Sequence, residues 1–340
     1  TTALAQQGAS ARIDLDVLRE NILQIQSAGL DLSLTGLEIG QVDLALNHAH
    51  TNPELDNSPE PSGPAVSRLG DLWLLGKHRL LCGDATSAEA YQQVMDGKQA
   101  AASIGDPPYN IPIAGNVSGA GKVKHQDFIM GVGEWTDEEF HSFLDTYLAT
   151  TMRHVAPDGA IFAFMDWRSI HLLVLAGRAA GLTHVTTCVW SKGSGAFGSP
   201  WRSAHELIPV FANGPQLKLD NVELGRHGRN RTNVFEYPGA NRPGSSAGKA
   251  LVLHSTPKSV EMIADMILDV TAPDDVVLDP FLGSGTTIIA AETVGRVGYG
   301  LELDPRYVDV IIRRWEALDR GQAILASTGE SFGVVLAKRP

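Results

Sequence analysis

Apolar positions over residues 11–28 recur at mixed helical spacing (Ile13, Leu15, Leu18, Ile22, Leu23, Ile25), and a shorter amphipathic stretch runs from Leu37 to Leu46. Both stretches predict helices. From His48 to Pro64 the chain is rich in Asn, Pro, Ser and Glu without apolar period, and it reads as a linker. Beyond Leu69 short apolar runs appear at Arg79–Cys82, Ala101–Ile104, Ala160–Phe164, Val185–Trp190, Ile208–Phe211, Val276–Leu278 and Val297–Leu301. Helical patterns lie between them at Asp137–His154, Ser169–Ala180, Ser259–Leu268, Thr286–Val294 and Pro305–Leu318. This alternation predicts an α/β fold, a doubly wound and mostly parallel sheet covered on both faces, with ligands at the carboxyl ends of its strands. The expected organisation is a helical appendage over 1–47, a linker over 48–67, a main domain over 68–320 and a tail over 321–340.

Composition narrows the class. With 43% hydrophobic and 19% charged residues, and no apolar run long enough to cross a bilayer, a globular chain without membrane contact is expected. Thr1 to Gly8 lacks the basic start and apolar core of a signal peptide, so a cytoplasmic location is expected. Cys82 and Cys188 are far apart, and His125, His141, His154, His171 and His184 form no ligand spacing; no disulfide framework and no metal are expected. Trp135, Trp167, Trp190, Trp201 and Trp315 read as packing residues, and Thr136 as the cap of a helix whose first turn is Asp137, Glu138 and Glu139.

The formal net charge of −12 argues against nucleic acid as a partner until its distribution is considered. Residues 1–62 carry nine acids against Arg12 and Arg19, a net of −7. Residues 226–249 carry Arg226, Arg229, Arg231, Arg242 and Lys249 against Glu236, a net of +4. A basic segment on an acidic protein can still hold a phosphate backbone.

Two strings carry chemistry. Asp106, Pro107, Pro108, Tyr109 and Asn110 directly follow the apolar run ending at Ile104, at a strand's carboxyl end. Consecutive prolines fix the backbone, one carboxylate and one carbonyl can accept the hydrogens of an amine, and the tyrosine ring can stack on a flipped base. A proline-rich turn capping a strand would show the same residues. The second string, Asp279, Pro280, Phe281, Leu282, Gly283, Ser284, Gly285, Thr286, is a strand running through a glycine turn into a helix, and Glu302 follows Gly285 by 17 residues at the end of the next apolar run. Such a turn admits a ligand close to the backbone, and such an acid binds ribose hydroxyls. Ile288 stands where a GxGxxG fingerprint needs its third glycine, which disfavours a nucleotide-dependent oxidoreductase.

Together, over about residues 69–318, the strings resemble the beta group of DNA amino-methyltransferases, in which a DPPY-type motif precedes an FxGxG-type motif. The resemblance implies S-adenosyl-L-methionine as cofactor, double-stranded DNA as substrate and adenine N6 as acceptor, with cytosine N4 as alternative. It implies Asp106, Pro107, Pro108 and Tyr109 as the base site, and Asp84, Thr256, Lys258, Asp279, Phe281, Gly283, Gly285, Thr286 and Glu302 as the cofactor site. Cys82–Ala85 is similar to the family's GD segment; Trp190, Ser191 and Lys192 with Arg202, His205 and Glu206 to its WxK…R…HE region; His254 to Ser259 to its HPTxKP segment, with Ser255 and Ser259 in place of proline. A target-recognition region is expected over 193–250. DNA contacts are expected from Lys122, Lys124, Arg202, Arg226, Arg229, Arg231 and Arg242, with Gly115 to Gly133 as a loop that orders over DNA. Beta-group relatives imply a homodimer. RNA and glutamine methyltransferases usually carry the cofactor motif first. Gly29 to Gly36 resembles the tail of a ParB-like domain, which leaves open a non-catalytic DNA-binding protein; a two-helix packing appendage explains it equally.

Overall fold

The computed structural model describes residues 15–28, 30, 35–37, 39–47, 53–58, 61, 63–111, 133–196, 201–222, 231–237 and 258–339. Its centre is an 11-stranded sheet. The strands are β1 (Leu72–Leu75), β2 (His78–Cys82), β3 (Ala100–Gly105), β4 (Val155–Ala163), β5 (Thr183–Ala196), β6 (Ser203–Ala212), β7 (Val234–Glu236), β8 (Val276–Asp279), β9 (Val297–Glu302), β10 (Ile324–Leu325) and β11 (Glu330–Ser331), in the order β11-β10-β1-β2-β9-β8-β3-β4-β6-β5-β7. The expected α/β class is observed, but the sheet is mixed. The strands β2-β9-β8-β3-β4 form a parallel centre, and the edges β10-β1-β2 and β4-β6-β5 are antiparallel. The reason is local: only residues 197–202 join β5 to β6, too few for the crossover a parallel pair needs.

Helices cover both faces. They are α1 (Leu15–Ser27), α2 (Ile39–Asn47), α3 (Ala88–Met95), α4 (Asp137–His154), α5 (Ile170–Ala179), α6 (Val260–Val270), α7 (Thr286–Thr293), α8 (Pro305–Glu316) and α9 (Phe332–Lys338). Alternate residues of one strand feed opposite cores. In β4, Ala160 and Phe162 join the core under α6, α7 and α8, whereas Ile161 and Ala163 join that under α3, α4 and α5. The Thr136 cap of α4 forms as expected: its hydroxyl accepts from Glu139 N at 3.2 Å, while the Glu139 carboxylate accepts from Thr136 N at 2.9 Å. Among the described residues no helix is long and apolar enough to cross a membrane.

The ends of the chain are more integrated than their patterns predict. Within the expected linker, Asp309 accepts from Val66 N at 2.7 Å and Ser67 N at 3.0 Å, and Asp56 accepts from Val260 N at 2.8 Å. The expected tail supplies β10, β11 and α9, with Phe332 edge-on to Trp73 at 5.4 Å. The two-helix head is pinned by a buried ion pair. Arg296 grips both oxygens of Asp43, at 2.8 and 2.7 Å, and its other guanidinium hydrogens reach the Thr271 hydroxyl and the carbonyls of Thr271 and Val294. All five donors are thereby used, which is what makes a buried guanidinium tolerable.

Asp43→Ala is expected to lower unfolding stability by about 3–5 kcal/mol, because it leaves Arg296 charged and uncompensated in the interior. Denaturant melts of the single variant and of Asp43→Ala/Arg296→Met test this: the double variant should recover much of the loss, and equal melting of Asp43→Ala and wild type would reject the assignment.

Candidate active site

Four neighbouring parallel strands each end at a carboxylate on one edge of the sheet. In spatial order these are Asp84 after β2, Glu302 closing β9, Asp279 closing β8 and Asp106 after β3. The two strings singled out in the sequence are therefore neighbours, because β3 pairs with β8 in the register Ser103 to Leu278.

On the β8 side the turn is organised from within. The Asp279 carboxylate accepts from Phe281 N at 2.8 Å and from the Thr287 hydroxyl at 2.5 Å. Glu302 accepts from Gly283 N at 2.7 Å and from Asp304 N at 2.8 Å. Burial is the dominant influence on both acids and outweighs these bonds, pushing each up to about 7. Gly283 has φ +52° and open space where a Cβ would stand. Gly285, at φ +85°, differs: a Cβ there would meet the Ile311 side chain at 2.8 Å. Glycine at 285 is thus required by the packing of α7 on α8. Thr286 is also buried; its hydroxyl accepts from Arg314, whose guanidinium props the turn through the Ser284 carbonyl at 3.0 Å. The Phe281 ring rests edge-on to Tyr147 at 4.9 Å. The open face of this turn, with spare acceptor lone pairs on two buried carboxyls and bare backbone at Gly283, fits the hydroxyl-bearing ribose of the cofactor implied by the resemblance. Asp84 is partly committed to its own turn, one oxygen accepting from Thr86 N and hydroxyl at 2.8 Å each.

On the β3 side a charged cluster, buried at Lys258 and Glu206, surrounds the half-buried Asp106. One carboxylate oxygen accepts from the Tyr109 hydroxyl at 2.7 Å, the other from Lys258 Nζ at 2.6 Å. Glu206, at the start of β6, also receives Tyr109 at 3.1 Å, Lys258 at 3.1 Å and Lys192 of β5. Tyrosine has one hydroxyl hydrogen, so the Tyr109 bond is shared between two carboxylates. Lys258 lies 4.7 Å from the Phe164 ring centroid and 5.5 Å from that of Trp190. Burial pulls the Lys258 ammonium down, yet Asp106 and Glu206 outweigh it and hold it above its ordinary value. Burial likewise opposes ionisation of Glu206, and Lys258 and Lys192 overcome it, holding the carboxyl well below its usual range. Lys258, expected beside the cofactor, thus makes its contacts with Asp106 and Glu206.

The expected DNA contacts divide. Arg202 is exposed ahead of β6. Arg231 is not turned outward: it pairs with Asp265 at 2.6 Å and Asp269 at 3.3 Å on α6, which corrects its expected role. Thr256, Lys122, Lys124, Arg226, Arg229, Arg242 and the Gly115–Gly133 loop except Gly133 lie outside the described residues, as does most of Gly29–Gly36. Trp190 and Trp315 are packed as expected, but Trp167 is 51% exposed and Trp201 84% exposed, in the loops after β4 and before β6. Lys192 and Glu206 fall outside the expected site set, although the WxK…HE region that holds them is similar to the family's. Their signal in the sequence is a charge set directly against an apolar strand run, a costly position without a partner.

The molecule resembles solved structures at low identity. The PvuII DNA methyltransferase, a cytosine-N4-specific enzyme, aligns with TM-score 0.51 at 16% identity, covering 70% of this chain and 86% of that one. The Thermus thermophilus protein TTHA0409, solved with S-adenosyl-L-methionine, aligns with TM-score 0.50 at 21% identity, covering 71% and 93%. In sequence the chain is 25% identical over 224 residues to the type II methyltransferase M.HinfI of Haemophilus influenzae, covering 62% of this chain and 61% of that enzyme's length. It is 23% identical over 253 residues to M.ScaI of Streptomyces caespitosus, covering 66% and 76%. The N6_N4_Mtase family model, described as DNA methylase, matches residues 101–313, more than half of the chain and all of the parallel edge except Asp84; the chain belongs to this family of DNA methylases.

Proposed function

We propose that this chain transfers a methyl group from S-adenosyl-L-methionine to the exocyclic amine of a base extruded from double-stranded DNA, adenine N6 ahead of cytosine N4. The observation carrying this reading is the Asp106 carboxylate, fixed by Tyr109 and Lys258 one strand away from the Asp279 to Glu302 turn. When bound, the cofactor supplies an electrophilic methyl group on a sulfonium.

The chain's own residues supply the rest. A base amine is a poor nucleophile because its lone pair is delocalised into the ring. Asp106 and the Pro107 carbonyl accept its two hydrogens and so bias the nitrogen toward a localised lone pair. The Tyr109 ring offers a stacking face, and its hydroxyl anchor sets the plane of that face. Glu302, Asp279, Phe281 and Gly283 hold the cofactor, and Asp84 bounds its far side. Catalysis is positioning and electrostatics, without a covalent bond between chain and base. The aspartate heading the DPPY string favours adenine through the family resemblance. Exposed Arg202 and the arginines at 226, 229 and 242, with Lys122 and Lys124, are the proposed phosphate and base-edge contacts.

Asp106→Ala is expected to abolish methyl transfer while cofactor affinity by calorimetry stays near wild type. Mass spectrometry of nucleosides from treated DNA should show N6-methyladenine with the wild type; N4-methylcytosine instead would replace the acceptor, and no methylated base would reject the reading.

The two turn glycines should separate cleanly. Gly283→Ala is expected to weaken cofactor binding at a modest cost in stability from its own left-handed backbone, whereas Gly285→Val adds a clash with Ile311 to the same kind of strain and should destabilise the protein much more. Thermal melts combined with calorimetry check this, and normal cofactor affinity in a folded Gly283→Ala protein would move the ligand off this turn.

Cofactor affinity should depend on pH through Glu302 and Asp279. A carboxyl raised to about 7 favours the native state in its protonated form, so this stability contribution is full below the ordinary carboxylate range and is lost as pH rises toward about 7. Ribose hydroxyls donate best to the ionised form, so affinity should rise as pH increases through about 7, with proton release on binding below that point. Glu302→Gln should flatten the rise to whatever Asp279 supplies; an unchanged pH dependence in that variant would exclude Glu302 from the ribose site.

A further inference from the structure

Resting on the methyl-transfer reading, the geometry points to Lys258 as a positioning residue for the base site: it locks the Asp106 carboxylate as an oriented anion, with Glu206 and Lys192 balancing the buried charge. Lys258 enters from the segment ahead of α6, and its ammonium, 8% exposed, bridges Asp106 at 2.6 Å and Glu206 at 3.1 Å. Its influence also reaches Asp279 across β8, so the ammonium sits between the two halves of the edge while its contacts are with Asp106 and Glu206. The rings of Phe164 and Trp190 face its ammonium, and Trp190 is itself fixed by its indole N–H donating to the Tyr237 carbonyl at 2.9 Å. Those faces stabilise a cation and leave it no route to turn toward solvent.

The need for such a cation follows from the chemistry proposed for Asp106. A neutral base entering this pocket excludes water, and a carboxyl deprived of water gains protons. A protonated Asp106 would spend one oxygen as a donor and lose the charge that draws hydrogen from the amine. Lys258 opposes that protonation and stops the carboxylate from rotating. It takes one lone pair of one oxygen while Tyr109 takes one lone pair of the other, so each oxygen keeps an acceptor position for the base. Glu206 completes the arrangement. Without it, Lys258 and Lys192 would face Asp106 as two buried cations against one anion; with it the cluster holds two of each sign. Among the described residues, the charged and titratable groups facing Asp106 are then Lys258 from the start of α6, Tyr109 from its own loop, Glu206 from β6, Lys192 of β5 through Glu206, Tyr147 of α4, and Asp279 across β8.

The test uses the full chain and two conservative alternatives, Lys258→Met and Lys258→Arg. Difference infrared spectroscopy follows the protonated-carboxyl band that is absent in Asp106→Asn. In Lys258→Met this band should titrate about 1–3 pH units higher than in wild type, as expected when a cation in contact is removed, and Lys258→Arg should return it most of the way. With DNA and S-adenosyl-L-methionine at saturation, Lys258→Met should lower kcat by up to about 100-fold and move the acidic limb of its pH profile upward, while calorimetric cofactor affinity changes less than about twofold. A band that titrates identically in wild type and Lys258→Met overturns the inference, as does a large loss of cofactor affinity with kcat preserved. A shifted band in a protein whose wild type methylates no DNA would retain the positioning role and reject the methyl-transfer reading instead.

Discussion

Everything at this edge answers one constraint: four carboxylates end four adjacent parallel strands, and at the two in the middle, Glu302 and Asp279, burial disfavours charge. The fold resolves this unequally. Asp84, Asp279 and Glu302 are held by backbone N–H groups and hydroxyls, and two of them are pushed up to about 7 because burial outweighs those bonds. Among the described residues, Asp106 alone of the four receives an ammonium in contact, from Lys258. A hydrogen-bonded carboxyl can bind hydroxyls in either protonation state; a carboxylate asked to localise a lone pair has to be an anion. The unequal treatment of four chemically similar groups thus matches the unequal roles proposed for them.

Much of this was legible because it is local. The cap at Thr136, the strands flanking both strings and the helices α4 to α8 are written in period and turn chemistry within short windows. What stayed hidden depends on partners distant in the chain. Lys258 meets a carboxylate at position 106, and its residue type alone fits a carboxylate of either ligand or protein. The basic count over 226–249 included Arg231, whose charge is consumed by Asp265 and Asp269 on α6. Gly283 and Gly285 are the same residue two positions apart, and only the approach of Ile311 from α8 distinguishes the open surroundings of one from the packed surroundings of the other. The two-residue strands β10 and β11 are too short to display any period, so residues closing the sheet looked like a tail. Strand direction at the β4-β6-β5 edge was accessible in principle, since no helical pattern separates the runs ending at Trp190 and beginning at Ile208.

The proposed recognition of DNA carries a cost in electrostatics. A chain of net charge −12 needs its cations concentrated on one face, and the loss of Arg231 to an internal pair weakens the segment counted as most basic. The edge compensates with aromatic surface. Trp167 carries the Arg168 guanidinium, itself paired with Asp166 at 2.7 Å, 4.8 Å from its ring, and exposed Trp201 precedes exposed Arg202, so the loops after β4 and before β6 each present an indole. Stacking surfaces are sequence-tolerant and do not depend on net charge, which suits the base extrusion proposed for this acidic chain.

The two halves of the edge are also assembled differently. Apart from Asp84 after β2, the proposed cofactor half is one stretch from Asp279 to Glu302, in which strand, turn, helix and next strand follow one another and contacts close over short loops. The base half draws Asp106 and Tyr109 from the end of β3, Lys192 from β5, Glu206 from β6 and Lys258 from the start of α6, and these meet only after the whole antiparallel excursion has folded against β4. Loop-closure entropy is larger for such distant contacts, and a charged cluster has no favourable state until every member is in place. The β5-β6 hairpin, which looks peripheral to a parallel sheet, is therefore what completes the proposed base site, and a change that loosens it would disorder Asp106 while leaving the Asp279 to Glu302 turn intact.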